Sequence, residues 1–305
     1  MVKLRNAYYC NLKLLLIFLV IFGHWIEPEI WKNAALYQLY RLVYLVHMPL
    51  FAFLSGLFVK EPAGCLRQLG RIAPVYLLCQ TAAVFLDRTP WHTPWWTLWY
   101  LLSLCFWLAA SALLLKRKRW RWTVLFLSLA AGCLAGTVPW IGRPHSLSRT
   151  LVFFPWFWLG VILKPDTPWH RLRIPALAAL LLRPRMSVVV LYHAGPCDPG
   201  LRLECYVYSL LLALLVLSWC PRRRFPWTRA GADTLPAYLL HAPVVARLRP
   251  VPHPWLAAAV FLYLVHKATQ WRRPWGITGK EDRPWPVSKN STTPTASRST
   301  GSSCP

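Results

Sequence analysis

Carboxylates are what this chain has least of. Asp and Glu number 10 against 35 Lys and Arg, a formal net charge of +25 over 305 residues. Such a balance ordinarily points to nucleic acid, but here the placement of the charge argues against it. Other absences narrow the field. The 9 cysteines form no CxxC pair and no ligand-like spacing with histidine, so no metal is expected. There is no glycine-rich phosphate loop, no HExxH and no GxSxG, which removes the signatures of P-loop binding, zinc proteolysis and the serine-hydrolase elbow. No internal repeat is visible.

What the chain has instead is apolar surface. Hydrophobic residues make up 56% of it, mean hydropathy is +0.36, and 19 residues are tryptophan. Runs near the ~20 residues needed to cross a bilayer recur, separated by short basic or Pro-rich stretches. The predicted fold is all-α, a polytopic transmembrane helical bundle of about ten spans forming one membrane domain over residues 1–275. The spans fall near 12–28, 36–59, 72–87, 97–115, 123–140, 149–164, 174–192, 203–220, 233–248 and 254–271.

Basic residues cluster in alternate connections. They sit at Lys60, Arg67 and Arg71, in KRKRWRW (116–122), at Lys164, Arg171 and Arg173, in PRRRFPWTR (221–229) and in KATQWRRPW (267–275). The intervening segments hold Glu27, Glu29, Asp87, Asp198 and Glu204. This positive-inside pattern accounts for the charge as a topology signal. It puts both termini in the cytoplasm and predicts a multi-pass protein of the cell (plasma) membrane, partnered by lipids and not by nucleic acid.

Lys3, Arg5 and Lys13 precede the first run, and no small-residue cleavage site follows it, so that run is expected to remain as a helix. Two spans are weak: the seventh contains RPR (183–185), and the ninth carries Asp233, Pro236, His241 and Pro243. Weak spans are usually shielded by neighbouring helices and often line a cavity. HTPWWTLWY (92–100) suits an aromatic interface belt. The Ser-, Thr- and Pro-rich tail, 276–305, is expected to be disordered and cytoplasmic, where the sequon at Asn290 would be silent.

Ionisable groups inside a membrane each cost on the order of 3 kcal/mol by insertion scales, so they deserve a functional reading. FGHW (22–25) places His24 near the end of the first run, and HMPLFAFLSG (47–56) places His47 inside the second. Lys13 and His24 are eleven residues apart; about three helical turns set them on one face with a rise of about 16 Å. Taken alone, Lys13 reads as a snorkelling anchor and His24 as an interfacial residue. His47, near mid-span beside Pro49, suits a neutral proton acceptor or a structural hydrogen bond equally well. Arg67 and Arg71 read individually as cytoplasmic anchors. Arg149 stands at the outer mouth of span six, and His241 lies inside span nine. Together these residues suit a hydroxyl base with oxyanion-stabilising groups, or a transporter's proton relay, and composition does not separate the two.

The strings YYCNLKLLLIFLVIFGHW (8–25) and HMPLFAFLSGLF (47–58) resemble the opening of the membrane acyltransferase 3 family, closest to its fucose 4-O-acetylase-like branch. The family's R/K-x10-H signature is matched by Lys13 and His24. Its basic motif after the second span is matched loosely by Arg67 and Arg71 in RQLGRIAPVY (67–76). WYLLSLCFW (99–107), SLSRTLVFFPWFWLG (146–160) and LPAYLLHAP (235–243) look like later blocks in the same order. The resemblance implies an O-acyltransferase that moves an acetyl group from acetyl-CoA to a hydroxyl of a cell-surface saccharide. In that reading His24 is catalytic, with His47 assisting. Lys13, Arg67 and Arg71 hold the CoA phosphates, and Arg149 and His241 meet the acceptor. Two departures stand out: Cys10 replaces an expected acid, and Leu14 replaces a glycine. The same polar track, without acyl chemistry, suits a transporter or flippase of a saccharide or lipid-linked substrate, and the departures leave an inactive structural or sensory member as a further alternative.

Overall fold

Helices form where the apolar runs fall, and prolines and caps punctuate them. In this computed structural model, residues 2–138, 141, 144–165, 167–178 and 197–271 are described. The helices are α1 (Val2–Ile26), α2 (Ala34–Leu57), α3 (Pro62–Asp87), α4 (Trp99–Leu114), α5 (Arg121–Leu134), α6 (Leu147–Ile162), α7 (Arg173–Ala178), α8 (Pro199–Trp219), α9 (Leu235–Leu248) and α10 (Pro254–Trp271). No strand occurs among the described residues. The RPR of the expected seventh span, and the tail with its sequon, lie outside them.

The boundaries follow local chemistry. The side chain of Asn33 accepts from the Ala35 and Leu36 amides at the start of α2, and Asp198 accepts from the Leu201 amide at the start of α8. Pro62 and Pro199 occupy the first turns of their helices, where a missing N–H costs nothing. Helix α3 begins about ten residues before its expected span, because the basic stretch PAGCLRQLGR already continues the helix. Arg67 and Arg71 are therefore helical residues.

Four helical stretches are long and apolar enough to cross a membrane: Ala7–Glu29, Ala34–Leu57, Pro62–Asp87 and Pro199–Trp219. Helices α4, α5, α6 and α9 are apolar but shorter. Contacts sort the connections into two ends. At one, Glu27, Trp96 and Arg249 share a cleft; the His145 amide donates to the His92 carbonyl, and that of Cys197 to Gly136. At the other, the Lys60 ammonium donates to the carbonyls of Gly160, Val161 and Leu163, closing the C-terminus of α6. There too Tyr9 donates to Pro165, the Trp158 indole to Arg121, and Asn11 to Pro221 and Arg223.

The core is the packing of α2 on α6, flanked by α1, α4 and α5. Two glycines allow it. A Cβ on Gly56 would stand 1.9 Å from the Phe157 carbonyl oxygen, and one on Gly160 would stand 2.0 Å from that of Phe53. Small residues at such a crossing let two backbones touch. The outer faces are apolar: Leu77, Leu78, Phe85 and Leu86 of α3 and Tyr263 and Leu264 of α10 are exposed. Water would penalise these faces, and hydrocarbon would not.

Candidate active site

Helix α1 stops where Pro28 cannot continue it, and the short 3-10 turn Glu27–Glu29 folds back on its end. That turn sets the Glu27 carboxylate 3.1 Å from His24 Nδ1. An ionised carboxylate only accepts hydrogen bonds, so Nδ1 carries the proton and Nε2 keeps its lone pair. The Tyr44 hydroxyl of α2 lies 3.3 Å from the same Nδ1. His24 is 14% exposed at its side chain and Glu27 36%, so the pair is sheltered but reachable.

Above it opens a cleft of about 500 Å³ lined by Glu27, Pro28, Glu29, Trp96, Arg249 and Pro250. The Trp96 ring packs edge-on to His24 with centroids 4.8 Å apart, and the Arg249 guanidinium lies 5.1 Å from the Trp96 ring centre. Arg149 sits 5.2 Å from the ring centre of Trp99, and both arginines act electrostatically on Glu27. The cleft therefore combines two carboxylates, a guanidinium and an aromatic wall, with the His24 base held against Glu27 and Arg149 acting on the same carboxylate.

His47 and His241 share one local device. Each lies two residues before a proline inside a helix, Pro49 in α2 and Pro243 in α9. Each turns Nδ1 onto a backbone carbonyl of the preceding turn, Val43 at 2.6 Å and Tyr238 at 2.5 Å. A carbonyl cannot donate, so in both rings Nδ1 is the donor and Nε2 the acceptor. The His47 ring packs edge-on to Tyr44 at 4.7 Å, and the His241 ring stacks on His24 at 5.4 Å. Tyr238 donates to the Thr97 carbonyl, and Tyr100 bonds Ser55 Oγ at 2.7 Å, which ties the site to α4.

The structure thus gathers His24, His47 and His241, with Arg149 at the edge. It does not bring the other three residues there. Lys13 donates to the Ala232 carbonyl at 2.7 Å, toward the Lys60 end of the bundle. Arg67 and Arg71 are exposed on α3, which packs chiefly on α4. Three site residues have no reading of their own in the sequence. Glu27 reads there only as a loop acid, although H-x-x-E is an i,i+3 pair. Trp96 is one tryptophan among many in an interface string, and Arg249 carries no local signal.

The two departures near the start of α1 have a packing context. A Cβ on Gly231 would stand 1.8 Å from the Cys10 carbonyl oxygen and 3.1 Å from Leu14 Cβ. Asn11 is held between the Pro221 and Arg223 carbonyls and the Thr228 hydroxyl. This part of α1 grips the 221–231 connection, so positions 10 and 14 serve an interface remote from His24.

A histidine–carboxylate pair under an aromatic cleft, within a bundle of apolar helices, defines a membrane protein with the groups for hydroxyl chemistry. The model of the family described as "Acyltransferase domain" matches residues 6–266, and the chain belongs to that family. No curated protein and no solved structure matches it.

Proposed function

We propose that the protein is a membrane O-acetyltransferase of the fucose 4-O-acetylase-like branch, moving acetyl from acetyl-CoA to a hydroxyl of a cell-surface saccharide. The observation that carries this reading is the 3.1 Å contact of His24 with Glu27 beneath the cleft. His24 Nε2 takes the proton of the acceptor hydroxyl while the oxygen attacks the thioester carbonyl. Glu27 steadies the imidazolium that forms. The C–S bond breaks, and the CoA thiolate recovers the proton from His24. A covalent acetyl-His24 would use the same Nε2 and the same support at Nδ1.

In this reading about ten spans cross the cell membrane, with both termini in the cytoplasm, and the cleft opens outward. Arg67 and Arg71 meet the anionic CoA from the inner side, with Lys13 about three turns below His24 on the same helix. His47 is a positioning residue that holds Tyr44 against His24. Arg149 and Arg249 meet the acceptor.

The test is release of CoA thiol from acetyl-CoA by protein purified into lipid nanodiscs, with glycoside acceptors. Wild type should turn over, and His24→Ala should fall by ~10²–10⁴ or to background while inserting normally. Near-normal transfer by His24→Ala would refute the mechanism.

A further inference from the structure

His241 is 0% exposed, and its Nε2 has no hydrogen-bond partner among the described residues. Buried polar atoms left unpaired are uncommon and call for an explanation. Nδ1 is already committed as donor to the Tyr238 carbonyl, so Nε2 offers a lone pair. A lone pair there repels phosphate, carboxylate and carbonyl oxygens, and it accepts an O–H or N–H. The ring bearing it is stacked on His24, centroid to centroid at 5.4 Å and inclined by 28°. A group donating to His241 therefore stands beside a hydroxyl delivered to His24. From the cleft inward the order of contact is Trp96, His24, His241.

We propose that the acceptor is a vicinal diol: one hydroxyl is acylated at His24, and its neighbour on the adjacent carbon donates to His241 Nε2. The inference rests on the acetyltransferase reading and extends it to a specificity-determining residue. The occupant is assigned to the acceptor because Tyr238 and Thr97 join His241 to the Trp96 side of the bundle, where the cleft opens. An adjacent hydroxyl also keeps both donors on one rigid ring, so ordering one orders the other.

The experiment uses the full-length protein in nanodiscs, acetyl-CoA, and methyl hexosides, each paired with the derivative lacking the hydroxyl next to the acetylated one. In wild type the deoxy compound should show about tenfold higher acceptor KM, the size expected for one buried hydrogen bond. In His241→Phe, which keeps a ring but no acceptor, parent and deoxy compounds should behave alike. In His241→Gln, which keeps an acceptor near the same place, part of the discrimination should return. The KM for acetyl-CoA should stay constant throughout. Equal loss from deoxygenation in wild type and His241→Phe, or a change confined to the acetyl-CoA KM, would overturn this inference alone. If His241→Phe does not fold, a His241→Gln protein that discriminates no better than twofold overturns it equally. Failure of wild type to acetylate any hexoside, with no release of CoA thiol, would overturn the acetyltransferase reading and this inference with it.

Discussion

Glu27→Gln is the sharpest perturbation of the proposed chemistry, because it removes a charge and leaves the shape. The amide oxygen can still accept from His24 Nδ1 at about the observed 3.1 Å, so the tautomer and the ring position should survive. What is lost is the attraction between a carboxylate and the imidazolium formed as the acceptor proton arrives. Hydrogen bonds to charged groups contribute roughly 1.5–3 kcal/mol, and about 1.4 kcal/mol is a factor of ten in rate. The pair is not fully desolvated, with Glu27 36% exposed at its side chain, so the lower part of that range applies. A fall in kcat of about 10- to 30-fold is expected, with acceptor and acetyl-CoA KM little changed. Glu27→Ala should fall further, since Nδ1 then keeps only the Tyr44 hydroxyl beside it. The assay is CoA thiol release at saturating acceptor, normalised to folded protein by size exclusion. A Glu27→Gln enzyme within twofold of wild type, alongside an inactive His24→Ala, would show that the carboxylate has no part in the chemistry.

Three further outcomes follow from other parts of the structure. Gly160→Ala sets a Cβ 2.0 Å from the Phe53 carbonyl oxygen and 2.8 Å from the Leu57 amide; backbone cannot step aside as a side chain can, so overpacking of about 1–3 kcal/mol should lower the Tm, and an unchanged Tm would disprove the close crossing. Arg71→Ala, on an exposed turn of α3, should leave the Tm unchanged and raise the acetyl-CoA KM, with Arg71→Lys only partly restoring it; an unaltered KM would reduce Arg71 to a membrane anchor. Reporter fusions after Lys118 and Arg223 should read as cytoplasmic, and those near Asp87 and Asp198 as external; the reverse at the first two would refute the charge-bias topology.

The helices were legible because hydrophobic length and punctuation act locally. Span 36–59 is Ala34–Leu57, and span 254–271 is Pro254–Trp271, since Asn33 and Pro254 mark their starts in the string itself. Hydropathy misplaces the starts of α1 and α3, where a helix carries basic residues before its apolar stretch begins, and it runs the fifth span past the end of α5 at Leu134. The partners of each helix were not legible. That α2 lies on α6 depends on Gly56 and Gly160, a hundred residues apart, and each is an ordinary small residue when read alone.

The site divides along the same line. His24, His47 and His241 stood out because a membrane interior makes each imidazole conspicuous, and the structure does bring them together around Tyr44 and Tyr238. The spacing of Lys13 and His24 correctly placed both on one helical face, yet spacing says nothing about what each side chain meets. Lys13 meets the Ala232 carbonyl, a group supplied by a connection more than two hundred residues further on. Glu27 shows the opposite case. Its partner is three residues away, but in the sequence the charge pattern accounts for it fully as an outer-loop acid, so nothing local marks it as a partner of His24. The acid that the charge pattern assigns to an outer loop is also, by its place in the sequence, the carboxylate available to a histidine ending the first helix. The turn at Pro28 is what converts the one into the other.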